Sequence, residues 1–329
     1  MRFKNLQDWR HKVRASTMYV NSLDWVKKNT VPGFHKISIF DVFTFLLLEI
    51  KNNDINTRAS AISYSFFVAL FPSLIFIFTL TAYLPNSIDF FTTLENSILS
   101  LLPEKAGDYL WKDIISGLRP RAETSILSVG FILAVFFASD GIMSLMRGFD
   151  KTYKTSFRKR SWYEKQAVAL FLTFLIAILL IISVVIIILG AQIFKWIFGI
   201  FHLTTLNLIS LKILQYGILL VLFYMVFSSI YRFGPALRVP IKGFSPGTVF
   251  ATITSILSSI IFAYFVDHFG NYHKVYGTIS ALLITLIWIR INVMIIILGF
   301  ELNAAIIVNR DIRALLLKEE LEEDDFWIS

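Results

Sequence analysis

The sequence predicts an all-α polytopic membrane protein with six transmembrane helices, an N-terminal interfacial helix, and short amphipathic helices in the first outer loop. Composition, run length and charge placement lead there. Apolar residues make up 56% of the 329 positions and charged residues only 16%, whereas charged residues alone are about a quarter of a soluble globular chain. Six apolar runs are long enough to cross the roughly 30 Å hydrocarbon core of a bilayer. Lys and Arg fall on alternate sides of those runs, 23 on the side that carries both termini, seven on the other, and Arg290 inside a run. That bias is the positive-inside pattern of an inner-membrane protein with both termini cytoplasmic. The formal net charge of +8 is therefore mainly a topology signal, and no nucleic-acid partner is expected.

The elements follow in order. Residues 1–36 form a basic cytoplasmic head, 37–308 the transmembrane domain and 309–329 an acidic cytoplasmic tail. No apolar core precedes Ile37, so the first span is expected to act as its own targeting signal. Residues 37–50 are apolar but too few to span, which predicts an elbow helix lying in the interface; a re-entrant segment is the alternative. Span one, 58–84, has Pro72 in its middle, where a backbone donor is lost, and small residues (Ala59, Ser60, Ala61, Ser63, Ser65) suited to packing or to a polar lining. In the outer loop, 85–123, apolar residues recur at helical spacing in two sets, the source of the amphipathic helices.

Span two, 124–149, holds Asp140 in its apolar run, and Arg147 near its end can snorkel to the interface. The loop after it contains Arg158-Lys159-Arg160, which fits anionic lipid headgroups as a partner beyond the bilayer itself. Span three, 166–191, carries no charge, and an aromatic outer connection (Phe194, Trp196, Phe198, Phe201) follows it. Span four, 208–231, is plain, and three prolines then predict a rigid turn before span five, 246–266. On span five Thr248, Thr252, Ser255 and Ser259 share one face, fitting interhelical hydrogen bonds or a conduit lining.

Span six, 277–308, would be about 48 Å long as a helix, and it is polar for a span: Arg290, Asn292, Glu301 and Asn303 interrupt it. Arg290 and Glu301 are eleven residues apart, about 16 Å along the axis and nearly on one face. Charge at such depth is expected to turn away from lipid.

Certain motifs carry a resemblance. Phe269-Gly270-x-Tyr272-x-x-x-Tyr276-Gly277, Leu286-Ile287-Trp288 and Leu298-Gly299-x-Glu301-Leu302-Asn303-Ala304 resemble the C-terminal pattern of the YihY/virulence factor BrkB family. Arg58-Ala59-x-Ala61-x-x-Tyr64 through Ala69-Leu70-Phe71-Pro72 resembles that family's N-terminal block, and the likeness covers residues 40–308. Phe300 departs from the Ala that the family often has, and residues 143–153 match weakly. The resemblance implies a six-helix inner-membrane protein whose activity is not settled, in a family that has also carried a ribonuclease BN label.

The residues themselves offer no catalytic, cofactor or metal site: the five histidines are scattered and cysteine is absent, so the ligand clusters of a metal nuclease are not expected. The expectation is a non-enzyme, transporter-like or channel-like, with a polar interior formed by Asp140, Arg290, Asn292, Glu301 and Asn303 and edged by Tyr64, Tyr272 and Tyr276. The rival is a structural or assembly protein with an internal ion-pair lock.

Overall fold

The computed structural model describes residues 38–52, 54–81, 124–200, 208–241, 244–268 and 279–328. Among them are α1 (Ile39–Asn52), α2 (Ile55–Thr81), α3 (Thr124–Gly148), α4 (Trp162–Ile200), α5 (Leu208–Phe233), α6 (Pro246–His268) and α7 (Ile279–Ile328). No strand occurs among the described residues, only an isolated bridge between Phe157 and Leu237. Six of the helices, α2 to α7, are long and apolar enough to cross a membrane. The basic head, the outer-loop helices expected between 85 and 123, and Tyr272 and Tyr276 lie outside the described residues.

Two boundaries differ from expectation. The aromatic connection after span three is the continuation of α4, which runs unbroken through Phe194, Trp196 and Phe198 to Ile200. The last helix does not stop at Val308 but continues to Ile328, so the acidic stretch at 319–325 is helical. The first junction has no Pro, and the helix runs through Gly190 and Gly199; the second has neither Gly nor Pro, and its Ala, Leu, Lys and Glu favour extension.

The six long helices form a ring. α2 packs against α3 and α7, α3 against α4, α4 against α5, α5 against α6, and α6 closes onto α7; α1 lies outside, against α7. Val42 of α1 is buried with Ala305 and Ile306 of α7, while Phe43, Leu47 and Leu48 are exposed, a surface suited to acyl chains.

The starts of α2, α4 and α6 meet the ends of α3 and α5 at one end of the ring, here termed the basic end. Asp54 caps α2, accepting from the Thr57 amide at 3.1 Å and from the Thr57 hydroxyl. Those bonds hold its carboxyl below the ordinary value. Arg160 donates to the carbonyls of Phe233, Gly234 and Pro235 at 3.0, 2.7 and 3.1 Å, closing the C-terminus of α5. Burial pushes its guanidinium down from the ordinary value. One residue of the expected lipid-binding triplet is thus a structural cap, whereas Arg158 and Lys159 are exposed. Arg158 and Arg238 amides, bonded to the carbonyls of Ala236 and Ser156, stitch the two loops of this end together.

Backbones come closest where α6 meets α7. Gly247 lies against the Gly299 carbonyl and the Asn303 side chain, and Gly299 faces the Tyr231 hydroxyl and Ala251. A methyl at either position would strike backbone or a buried phenol rather than a flexible chain end. Gly247→Ala is therefore expected to cost about 1–3 kcal/mol, read as a lower thermal midpoint of the purified protein. Thr248, Thr252 and Ser255 are buried beside this crossing, and the Thr252 hydroxyl donates to the Thr248 carbonyl at 2.8 Å. Three of the four residues of the hydroxyl face of span five are thus buried at this crossing, and Ser259 is partly exposed.

Candidate functional site

Charge is concentrated at the basic end, on Glu301. This residue sits on α7 one turn from Ile297 and has no exposed surface. Its carboxylate meets two cations: Arg58 Nη2 at 2.9 Å from Oε1, and Lys151 Nζ at 2.8 Å from Oε1 and 2.7 Å from Oε2. Arg58 comes from the first turn of α2, and its Nη2 also donates to the Gly148 carbonyl at the end of α3, 2.6 Å away. Lys151 comes from the loop after α3. A single carboxylate therefore ties together α2, α7 and the α3–α4 loop.

Burial makes this cluster consequential. The Lys151 side chain is 5% exposed and that of Arg58 24%, so water screens neither pair fully. Two other polar side chains nearby bond to backbone. Asn303 Oδ1 accepts from the Gly247 amide at 2.9 Å, satisfying a donor in the first turn of α6 that has no partner within its own helix. Tyr231 donates its hydroxyl to the Ile296 carbonyl at 2.8 Å. Phe149, Phe157, Phe300 and Tyr231 fill the centre of the ring at this end, with Phe149 and Phe300 rings 4.3 Å apart.

Of the eight residues of the expected polar interior, the six that are described are not brought into one place. Glu301 and Asn303 are buried at the basic end, but Asp140, Arg290 and Tyr64 are exposed. Asn292, partly buried, spends its amide on the Trp288 carbonyl of its own helix at 2.9 Å. Arg290 does not pair with Glu301: about 16 Å separates them along the axis, and the carboxylate is occupied by Arg58 and Lys151. Asp140 sits level with the start of α4, where Gln166 donates to the Ser139 hydroxyl at 3.4 Å and Glu164 and Lys165 are close in sequence. A carboxylate at that level has polar surroundings within reach.

Sequence reasoning missed Arg58 and Lys151 as partners of Glu301. Arg58 stands in the N-terminal block and was assigned to the charge of the cytoplasmic side; only the fold joins it to a carboxylate 243 positions away. Among the described residues no group of three or more His, Asp or Glu is placed to hold a metal ion.

Comparison with known proteins decides the family. The sequence model of virulence factor BrkB matches residues 46–322. The chain belongs to the virulence factor BrkB family. The Bacillus subtilis protein named putative ribonuclease-like protein YfkH is 29% identical over 251 residues, covering 75% of this chain and 88% of that one. UPF0761 membrane protein NTHI0384 of Haemophilus influenzae is 24% identical over 257 residues, 78% of this chain and 91% of the relative. A Pseudoalteromonas translucida relative, UPF0761 membrane protein PSHAa0171, is 35% identical over 96 residues, 29% of this chain and 31% of its own. No solved structure matches. With its six apolar helices, this BrkB-family chain is a multi-pass integral membrane protein.

Proposed function

We propose that this BrkB-family protein is a transporter of the cytoplasmic membrane, held here with its basic end closed. The observation that carries the reading is the asymmetry of the ring. At the basic end the interior is dry and locked by Arg58, Lys151 and Glu301. Toward the opposite end, among the described residues, Ile213, Leu214, Tyr216, Leu220 and Val221 of α5 are all exposed. They occupy one half of the helix surface, about 160° around, and among the described residues the buried cluster takes only Phe227, Ile230 and Tyr231 from α5, all from its basic half. A static scaffold has no need of one sealed and one loose end, whereas alternating access requires such a difference.

The positive-inside bias supports a cytoplasmic basic end. Because the chain has no cysteine, a single cysteine introduced at Lys159 is clean to label. In intact cells it is expected to resist an impermeant maleimide and to react after permeabilisation; labelling from outside would invert the assignment.

Transport is tested with full-length protein in vesicles, following proton flux, potassium flux and dithionite bleaching of fluorescent phospholipids. Arg58→Gln weakens the lock and is expected to raise the rate of one of these at least severalfold over wild type. If neither protein exceeds empty vesicles in any of the three, transport is refuted, and the cluster stands as the permanent lock of a structural protein. The name of the Bacillus relative raises ribonuclease activity. That reading requires divalent-metal-dependent RNA cleavage that is lost on substituting a residue of this chain, and the described residues offer no ligand group for it.

A further inference from the structure

Arg290, Ile297, Glu301 and Val308 point within about 40° of one another around α7. Three of them, Ile297, Glu301 and Val308, have no exposed surface, yet Arg290 is exposed. What covers this sector at the basic end is withdrawn further along. Two helices cover it there: α2, whose Arg58 meets Glu301, and the short α1, whose Val42 packs with Ala305. The α2 face toward α7 changes in step: Phe67 and Leu70 pack against the core, Leu74 is half-buried and Ile77 is exposed.

α2 meanwhile stays with α3. Ile62 lies against Gly148, Phe66 against Gly141 and the Phe76 backbone against Gly130. The helix pair α2–α3 thus diverges from α7 along a seam, pinned at the basic end by Arg58–Glu301 and open beyond. Its accessible side chains are apolar, Leu283 and Ile287 on α7 with Phe71 and Ile77 on α2, apart from Arg290. No side chain among the described residues pairs with that guanidinium.

We propose that the seam is a lateral site for an anionic phospholipid of the surrounding bilayer, its phosphate on Arg290 and its acyl chains along Leu283, Ile287, Phe71 and Ile77. An uncompensated guanidinium between apolar walls is costly, and two phosphate oxygens can accept from the paired N–H donors of its planar fork. The apolar lining excludes a small hydrated anion and suits a molecule with chains attached. The inference deepens the transport reading by naming a substrate class for the same closed-at-one-end ring. The lock lies about 16 Å further along α7, where freeing α2 from α7 would lengthen the seam.

The test measures binding at equilibrium. Full-length protein in phosphatidylcholine vesicles is titrated with spin-labelled phosphatidylglycerol or phosphatidylcholine, and the immobilised lipid is read by electron spin resonance. Phosphatidylglycerol is expected to be preferred by about fivefold, with the preference near one in Arg290→Gln and largely kept in Arg290→Lys and in the loop variant Lys159→Gln. A second measurement leaves Arg290 untouched: bimane on a cysteine at Ile287 is expected to be quenched more by spin-labelled phosphatidylglycerol than by phosphatidylcholine. Equal binding of the two lipids, equal quenching, or a preference lost in Lys159→Gln but kept in Arg290→Gln overturns the proposal. An Arg290-dependent preference without flux of any probe would refute transport and leave the lipid site standing.

Discussion

Glu301→Ala is expected to destabilise the protein by about 3–5 kcal/mol, because it leaves two cations facing each other in a site their own carboxylate had neutralised. Lys151, 5% exposed, has little water to fall back on. The loss appears as a fall in thermal midpoint in detergent and in protein recovered from membranes. Arg58→Ala should cost less, since Arg58 is the more exposed of the two cations and Lys151 still covers both carboxylate oxygens. The informative variant replaces all three groups. Arg58→Met, Lys151→Met and Glu301→Leu together remove the charges while keeping volume, and such replacements of buried ion clusters are often neutral or stabilising. If the cluster is a releasable lock, the triple variant recovers its stability but loses the increase in flux expected of Arg58→Gln. If Glu301→Ala is as stable as wild type, the carboxylate is not what holds α2 to α7, and the lock is wrong.

The same residues show how much was legible beforehand. The six spans were readable because each depends on a run of neighbouring apolar residues. Glu301 was singled out as too costly to face lipid, and it is wholly buried. Its partners were not legible. Helical phase puts Arg290 and Glu301 on one side of α7, but phase says nothing about depth or about what a neighbouring helix covers. Two positions on one face have opposite fates when the helices packed over one of them, here α1 and α2, do not cover the other. Arg58 and Lys151 looked like orientation signals because, in sequence, a lysine or arginine beside a span is the same whether it meets a lipid phosphate or a buried glutamate. The long α4 and α7 were underestimated for a simpler reason: hydropathy reports where a helix leaves the hydrocarbon, not where its hydrogen bonds end.

Phe300→Ala is the second large effect. Phe300 has no exposed surface, and its ring lies 4.3 Å from Phe149 and 6.4 Å from Phe157. Phe149 in turn approaches Tyr231, so one side chain on α7 is held by residues from the ends of α3 and α5 and by the loop between α3 and α4. These groups cannot all move inward to fill the space, because Gly234 lies against Phe149 and the Tyr231 hydroxyl is fixed on the Ile296 carbonyl. Truncation therefore leaves much of the ring's volume as a cavity, at an expected cost of about 3–5 kcal/mol, while Phe300→Leu loses distinctly less. This aromatic group also closes the centre of the ring, so the cavity should be felt as a leak. A cysteine at Val293, buried in the same cluster, is expected to react with a small water-soluble thiol reagent much faster in the Phe300→Ala background than in wild type. Equal labelling rates with the stability loss intact would leave Phe300 a packing residue and place the seal elsewhere. Unchanged stability would mean that the aromatic cluster does not hold the basic end shut.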